Sequence, residues 1–410
     1  MRSEKWFKTY LCIWTGQFIS LLTSSAVNFA VIIYLSLHYK SAEILAYAGI
    51  AGLLPQAVIG PFAGVYIDRW ARKKVMIFAD AFIAFCTFCM SFAFVEGEAN
   101  LILVYVLLVC RSLGQAFHTP AMQAIAPLIV PEEKLLKVSG INQMLQSVSM
   151  IAGPALGTLA ITYMSISYVL YLVVIGASLA IFSLIFVVIP KTSAQNEESD
   201  ISSVMHDLVQ GFEEIRKNKG LYLMFIYAML TTFFVMPVAI MYPLLTIDHY
   251  AGGKWEMSII EIVWGVGMLI GGGTLSAWKG DISKVIMVNA MHIFLGLTFV
   301  FSGWISGEWF WIYVAITTLG GIGMSFFNAS FMTIIQEQIK PDFLGRVFSL
   351  YFSFGIFPSV VGLLFTGWIA DEIGVVNAFI IAGLAMCGVG VLSFLTPAVM
   401  RLEKAKKIIE

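Results

Sequence analysis

The sequence predicts an all-α membrane protein: twelve transmembrane helices in two six-helix pseudo-repeats, with both termini cytoplasmic. Three observations predict it. Of 410 residues, 59% are hydrophobic and 12% charged, and the mean hydropathy is +0.88; a soluble chain could not cover that much apolar surface. The apolar residues fall in long continuous runs, not in the short alternating segments of a transmembrane barrel. Finally, almost every Lys and Arg falls in alternate connections between the runs. One set holds Arg2, Lys5 and Lys8; Arg69, Arg72, Lys73 and Lys74; Lys134 and Lys137; Lys191, Arg216, Lys217 and Lys219; Lys279 and Lys284; Lys340 and Arg346; and Arg401, Lys404, Lys406 and Lys407. The other set holds only Lys40 and Lys254. Cytoplasmic loops retain Lys and Arg, which places both ends of the chain on that side.

Spans of roughly 20 residues or more lie near residues 9–37, 44–67, 75–95, 101–127, 139–163 and 167–189, then 221–247, 257–278, 285–305, 309–336, 346–370 and 375–398. The first run is too long for a signal-peptide core and no small-residue cleavage site follows it, so it is read as span 1. Spans 2 and 3 are parted by the Arg69 to Lys74 cluster, spans 4 and 5 by Lys134 and Lys137, spans 8 and 9 by Lys279 and Lys284, and spans 10 and 11 by Lys340 and Arg346. Between spans 6 and 7, Thr192 to Asp200 is polar enough for a flexible linker. After it, Ile201, Val204, Leu208, Phe212 and Ile215 repeat at helical spacing, predicting a short amphipathic helix on the cytoplasmic face. The expected organisation is a six-helix bundle over 1–190, a linker over 191–220 and a second bundle over 221–410.

The halves repeat. Pro131 to Ser139 after span 4 matches Pro341 to Ser349 after span 10 at an offset of about 210; the same offset aligns Lys74 to Met76 with Lys284 to Ile286, and one residue less takes Gly153 onto Gly362. Repeated halves about a linker mark transporters, because a site at the repeat interface opens to either side by rocking. Proline agrees. Pro55, Pro61, Pro120, Pro127, Pro154, Pro237, Pro243 and Pro358 interrupt spans 2, 4, 5, 7 and 11, whereas spans 3, 6, 9 and 12 carry none except near their ends, separating a kinked set from a straighter scaffold.

Three motifs carry chemistry. Between spans 2 and 3 stands Gly64-x3-Asp68-Arg69-x2-Arg72-Lys73-Lys74: a glycine permits close helix contact, and an aspartate at a helix end can pair with a cation or accept helix N-terminal N–H groups. Read bare, the cluster is also what positive-inside retention leaves. In span 4, Arg111 lies near mid-membrane by a rise of about 1.5 Å per residue from Leu101, where a permanent cation is costly unless it meets a partner or water. It is functional by default, or else a tie between helices. Span 5 carries Gly153-Pro154-x2-Gly157, with Ser149 one turn earlier, a close-packing face on a bent helix.

On these motifs the chain resembles the major facilitator superfamily across essentially its full length. The first is similar to the family's gating signature, with Ala71 where Gly is usual and a degraded counterpart at Trp278 to Lys284. Arg111 is similar to the family's arginine motif, associated with proton coupling. Gly153, Pro154 and Gly157 resemble the antiporter motif of its drug exporters, with Thr158 replacing a second Gly. At finer grain, Trp14 to Gln17, Ser20 to Ser24, Ala116 to Ala121, Val130 to Glu133 and Lys340 to Leu350 resemble the macrolide-efflux branch of the drug:proton antiporters. The resemblance implies a monomer of the bacterial cytoplasmic membrane that exports macrolides or similar lipophilic compounds against protons by alternating access. It implies no cofactor; the proton gradient drives it.

Coupling needs a group that gains and loses a proton, and a buried acid is costly without purpose. Glu261 in span 8 comes first; Asp80 in span 3, Glu337 at the end of span 10, Asp248 at the end of span 7 and His118 are the others. Asp80 reads equally as a neutraliser of the basic cluster, and His118 as a hydrogen-bonding cavity residue. Spans 1, 4, 7 and 10, which line the cavity in the family, offer Asn28, Gln115, His118, Phe233, Phe234, Met236, Phe327 and Asn328 to a substrate, with Gln17, Met122, Met241, Phe326 and Met332 nearby. Aromatic and Met-rich walls suit a large amphiphile.

Other classes stay open at this stage: an exporter of siderophores or lipids, a proton-coupled nutrient importer, or a membrane receptor. An enzyme is not expected, since the chain has no His-Glu-x2-His, no Gly-x-Ser-x-Gly and no phosphate-binding Gly-x4-Gly-Lys loop. Cys12, Cys86, Cys89, Cys110 and Cys387 all fall within spans as small packing residues; no metal site and no nucleic-acid partner are expected.

Overall fold

The computed structural model describes residues 2–97, 99–189, 201–277 and 283–402. Among the described residues the regular elements are helices: α1 (Arg2–Tyr39), α2 (Ala42–Arg69), α3 (Arg72–Ser91), α4 (Leu101–Ile129), α5 (Glu132–Tyr163), α6 (Ile166–Ile185), α7 (Ile201–Lys217), α8 (Lys219–Asp248), α9 (Lys254–Ala277), α10 (Lys284–Trp304), α11 (Phe310–Gln338), α12 (Pro341–Phe354), α13 (Ile356–Ile373), α14 (Val375–Leu395) and the single turn α15 (Pro397–Met400), with a 3-10 turn at Phe92–Gly97. Twelve are long and apolar enough to cross a membrane. The protein is a multi-pass membrane protein. A bilayer offers no hydrogen bonds to a bare backbone, so each crossing closes its own N–H to C=O ladder.

The starts of α4, α8 and α10 are met by side chains. The Asn100 side chain accepts the Leu103 N–H at 3.1 Å, Asn218 accepts those of Gly220 and Leu221 at 3.1 and 3.3 Å, and Ser283 accepts that of Ile286 at 3.3 Å. Such caps satisfy donors that have no partner within the helix.

Span 11 differs from the sequence reading. Instead of one helix over 346–370, α12 and α13 meet at Gly355. The reason is Pro358: it has no N–H to return to residue 354, where α12 stops, and its ring crowds that carbonyl. Residues 190–200 of the expected linker lie outside the described residues. The amphipathic helix after them forms as α7, with Ile215 buried, Gly211 against the Arg346 backbone of α12, and Phe212 exposed.

The chain divides into two compact units: Met1–Leu35 with Ile50–Val204, and Ser36–Gly49 with Met205–Glu410. In the first, Tyr10, Ile13 and Trp14 of α1 share a buried cluster with Val75 and Met76 of α3 and with Ala121 and Ile125 of α4. Glycine sets its closest approaches. A Cβ at Gly157 of α5 would collide with the Ala26 carbonyl of α1, one at Gly153 with Ser25, and one at Gly176 of α6 with Thr23.

In the second unit α10 packs on α14 and α11, and α9 on α11. A Cβ at Gly362 of α13 would collide with the Phe233 carbonyl of α8. That carbonyl lies four residues before Pro237, which has no N–H to offer it. The turn into α2, where Lys40 takes φ of 47°, belongs to this unit, and Asp371 of α13 accepts from Ser41 Oγ at 2.8 Å and from the Ala42 and Glu43 N–H groups at 2.7 and 3.2 Å. A carboxylate there meets both the orphan donors and the positive end of α2.

Gly157→Val should lower the melting temperature of the purified protein, by overpacking worth about 1–3 kcal/mol, because the obstacle is backbone. Gly388→Ala, with nothing within 4 Å of its added carbon, should leave the melting temperature unchanged or raise it. Equal melting curves for Gly157→Val and the parent would refute the close α1–α5 contact.

Candidate functional site

The first unit contains a cavity of about 450 Å³. Each of its four walls is a helical stripe: Trp14, Gln17, Phe18 and Leu21 of α1; Asp80 and Ile83 of α3; Gln115, His118, Thr119 and Met122 of α4; Asn142, Leu145 and Gln146 of α5. Offsets of three and four residues put these groups on one face of each helix. Gly114 lets α4 close on Ile83 of α3, and one turn on from that contact stand Asp80 and His118.

Asp80, His118 and Gln17 are 3%, 8% and 1% exposed and form a closed triangle. Gln17 Nε2 donates to Asp80 Oδ2 at 3.1 Å. His118 Nε2 lies 3.0 Å from Gln17 Oε1 and 3.2 Å from Asp80 Oδ1. Beyond the triangle Gln115 Nε2 donates to Thr119 Oγ1 at 2.9 Å, and the Tyr10 hydroxyl donates to Asn142 Oδ1 at 2.8 Å. An acid taken out of water is tolerable when its oxygens are met by donors, and here two side chains meet them.

Arg111 is also on α4, one turn before Gln115. It is buried beside Cys86 of α3. Its Nη2 donates to Asn28 Oδ1 of α1 at 2.9 Å, while Nε and Nη1 have no partner among the described residues. Asn28 lies two residues past Ala26, the point where Gly157 touches α1. The arginine and the Gly153-Pro154-Gly157 face therefore act on one short stretch of the same helix.

The gating residues are divided. The side chains of Asp68 and Arg69 lie outside the described residues; the backbone carries both, with Gly64, in the last turns of α2. Arg72 opens α3, and Lys73 Nζ donates to the Ile185 and Val187 carbonyls at 3.0 and 2.7 Å. Those carbonyls end α6 and lack helical partners, so Lys73 caps that helix.

In the second unit, Glu261 of α9 is half-buried near Tyr242 of α8, whose hydroxyl meets no hydrogen-bond partner among the described residues, with Tyr313 of α11 in the same neighbourhood. Glu337 is half-exposed and forms an ion pair with Lys284 at 3.1 Å. Asp248 is exposed at the end of α8, near Lys40. Phe233 and Phe234 meet edge to face at 4.9 Å, with Met236 one turn on. Phe327 is fully buried between His292 and Phe331, at 5.1 and 5.9 Å, so its ring serves the core; Asn328 beside it is half-buried. The five cysteines are free thiols, and no metal-holding group is found among the described residues.

A family model described as the Major Facilitator Superfamily matches residues 13–355. Macrolide efflux protein A of Streptococcus pyogenes is 35% identical over 385 residues, covering 94% of this chain and 95% of that protein. The chain belongs to the major facilitator superfamily. A protein of the same description from Enterococcus faecalis is 35% identical over 310 residues, 76% of this chain and 95% of its own. Among solved structures, a point mutant of nucleoside transporter NupG superposes with a TM-score of 0.74 at 14% identity, covering 96% of this chain and 99% of that one. A major facilitator protein is a secondary transporter, not an enzyme.

Several residues of this facilitator's cavity escaped the sequence reading: Trp14, Phe18, Asn142 and Gln146. For two of them the signal was present as a spacing of three from residues already singled out: Trp14 from Gln17, and Gln146 from Ser149. His292 also escaped; it is 1% exposed, its ring nitrogens meet no side-chain partner among the described residues, and it lies outside the cavity.

Asn28→Leu should destabilise the protein by about 1–3 kcal/mol, since it strips a buried cation of its acceptor. Pairing it with Arg111→Met should recover part of that loss, giving an interaction energy of order 1–3 kcal/mol in a double-mutant cycle read by melting of the purified protein. Strict additivity would show that the Asn28–Arg111 contact contributes nothing.

Proposed function

We propose that the protein exports lipophilic organic compounds, macrolides first among them, in exchange for protons by alternating access in the bacterial cytoplasmic membrane. The observation that carries this reading is the end-to-end likeness to macrolide efflux protein A, at 35% identity over 94% of the chain. The geometry supports it at the arginine: a permanent cation held mid-helix by one asparagine, with two nitrogens unmet among the described residues, is costly in a bilayer unless transport uses it. Export is supported by α5, whose Gly153 and Gly157 draw against α1 beside that asparagine.

The working unit is a monomer with both termini cytoplasmic, built from bundles over 1–190 and 221–410 joined by 191–220. The repeat draws support from two contacts at nearly equal offset: Gly153 against Ser25, and Gly362 against Phe233. Arg111, Glu261, Asp80 and Glu337 are the proton-coupling set, with Gly64, Asp68, Arg69, Arg72 and Lys73 as the gate.

Inverted membrane vesicles containing the protein should accumulate erythromycin when a proton gradient is imposed, and a protonophore should abolish the uptake. No uptake by folded protein would remove macrolides as substrate. Glu261→Gln should abolish gradient-driven uptake while sparing binding; undiminished uptake would exclude an essential proton role for Glu261.

A further inference from the structure

We propose that Gln17, Asp80 and His118 form an exchange site at which the ammonium of a lipophilic amine displaces a proton carried by His118. This rests on the transport reading above and adds the residues, the recognised chemical group and the proton count.

The geometry assigns the roles. His118 Nε2 faces two oxygens, Gln17 Oε1 and Asp80 Oδ1, so it carries hydrogen in both charge states. The second proton therefore adds at Nδ1. Gln17 cannot turn over without losing both its bonds, because its Nε2 is given to Asp80 and its Oε1 receives from His118. It is a positioning residue that holds acid and base in register.

With His118 protonated the site is a neutral ion pair within a membrane-spanning bundle. A second cation entering it would leave one uncompensated positive charge in a low dielectric, which is strongly unfavourable. The balance is restored if Nδ1 loses its proton to water: imidazolium–carboxylate plus ligand ammonium gives imidazole and ammonium–carboxylate plus one proton. Only an N–H bond breaks, and the site's net charge is the same before and after. Histidine suits this task because its ordinary titration range spans working pH.

The surroundings fit a cation. Trp14, whose ring stacks on Tyr10 at 4.4 Å, and Phe18 line the wall with aromatic surface, and a cavity of about 450 Å³ lies within the range for small-molecule sites. Asp80 and His118 are the charged pair of the described wall; α1 and α5 contribute the neutral Gln17, Asn142 and Gln146. Tyr10 on α1 is engaged with Asn142. Along α4, Arg111 stands seven residues away, roughly 10 Å by helical rise. Lys73 and Lys74 stand about as far along α3, with Lys73 on the α6 carbonyls. On α6 the span 166–185 contains no Asp, Glu, Lys, Arg or His.

The test is proton release on ligand binding by the full protein in lipid nanodiscs, in weakly buffered solution at about pH 5.5, where an ordinary imidazole is mostly charged. Two probes are used: erythromycin, a tertiary amine, and tetraphenylphosphonium, a permanent lipophilic cation. The wild type should release about one proton per probe bound. His118→Gln should still bind but release none, and its affinity should no longer vary with pH between about 5.5 and 7.5. Asp80→Asn should bind at least about tenfold more weakly at every pH. Binding without proton release by the wild type, release by His118→Gln, or wild-type affinity in Asp80→Asn each overturns the proposal; the first needs no variant to fold. Tetraphenylphosphonium bound with proton release, but erythromycin not bound, upholds the site and removes the macrolide. Neither probe binding to folded protein overturns the site.

Discussion

The first unit depends on how closely α5 and α6 approach α1. Gly157 meets the Ala26 carbonyl, Gly153 meets the Ser25 side chain and Gly176 meets that of Thr23, so about one turn of α1 is clasped with only small groups between. Transmembrane helices gain little from hydrophobic burial against each other, because lipid is as apolar as leucine; close backbone contact and polar pairs replace it. The polar pairs lie on either side of the clasp. Gln17 reaches Asp80 on one side, and Asn28 holds Arg111 on the other. Moving α1 by one register would break both at once.

Bilayer chemistry then limits how charge is stored. An isolated ion in hydrocarbon is costly, and each charged group described here has a different remedy. Lys73 sits on carbonyls at the end of α6, Asp371 on N–H groups at the start of α2, and Glu337 on Lys284. These three are fastened at helix ends. Asp80 and Arg111 lie within their helices, and their partners are the uncharged Gln17 and Asn28 together with one titratable ring, His118.

Much of this was legible in sequence because a membrane simplifies the code. Twelve apolar runs became twelve crossing helices, and Arg111 stood out as a cation in an apolar run. Local rules also reached the amphipathic α7. The break at Gly355 was missed although Pro358 signals it, since a proline inside a span can be carried within a continuous helix, as Pro154 is in α5 and Pro237 and Pro243 are in α8. The Gln17–Asp80–His118 triangle was not legible: its members are 63 and 38 positions apart along the chain, and each residue fits a plainer role by itself. Asp80 read equally as a neutraliser of the basic cluster. Only the α3–α4 approach at Gly114, a through-space fact, joins it to His118. Phe327 shows the converse, since a ring on a family cavity helix faces the core when a neighbour such as His292 needs covering.

A carboxylate that must cycle has to be able to lose its partner without moving far. An ammonium such as that of Lys284 keeps its charge throughout the working range of pH, so a bond to it ends only by separating the groups, as a gate does. An imidazole loses its charge where it stands, so a bond to it weakens with no change of position. Of the acids placed here, Glu337 is of the first kind, and Glu261 lies near the neutral Tyr242 side chain without a hydrogen bond from its hydroxyl. Asp80 is of the second kind. Its partner is an imidazole, its amide neighbour is bonded at both ends, and a cavity of about 450 Å³ lies beside it. Those three properties at one carboxylate separate a group that fastens the fold from one that can exchange what it holds.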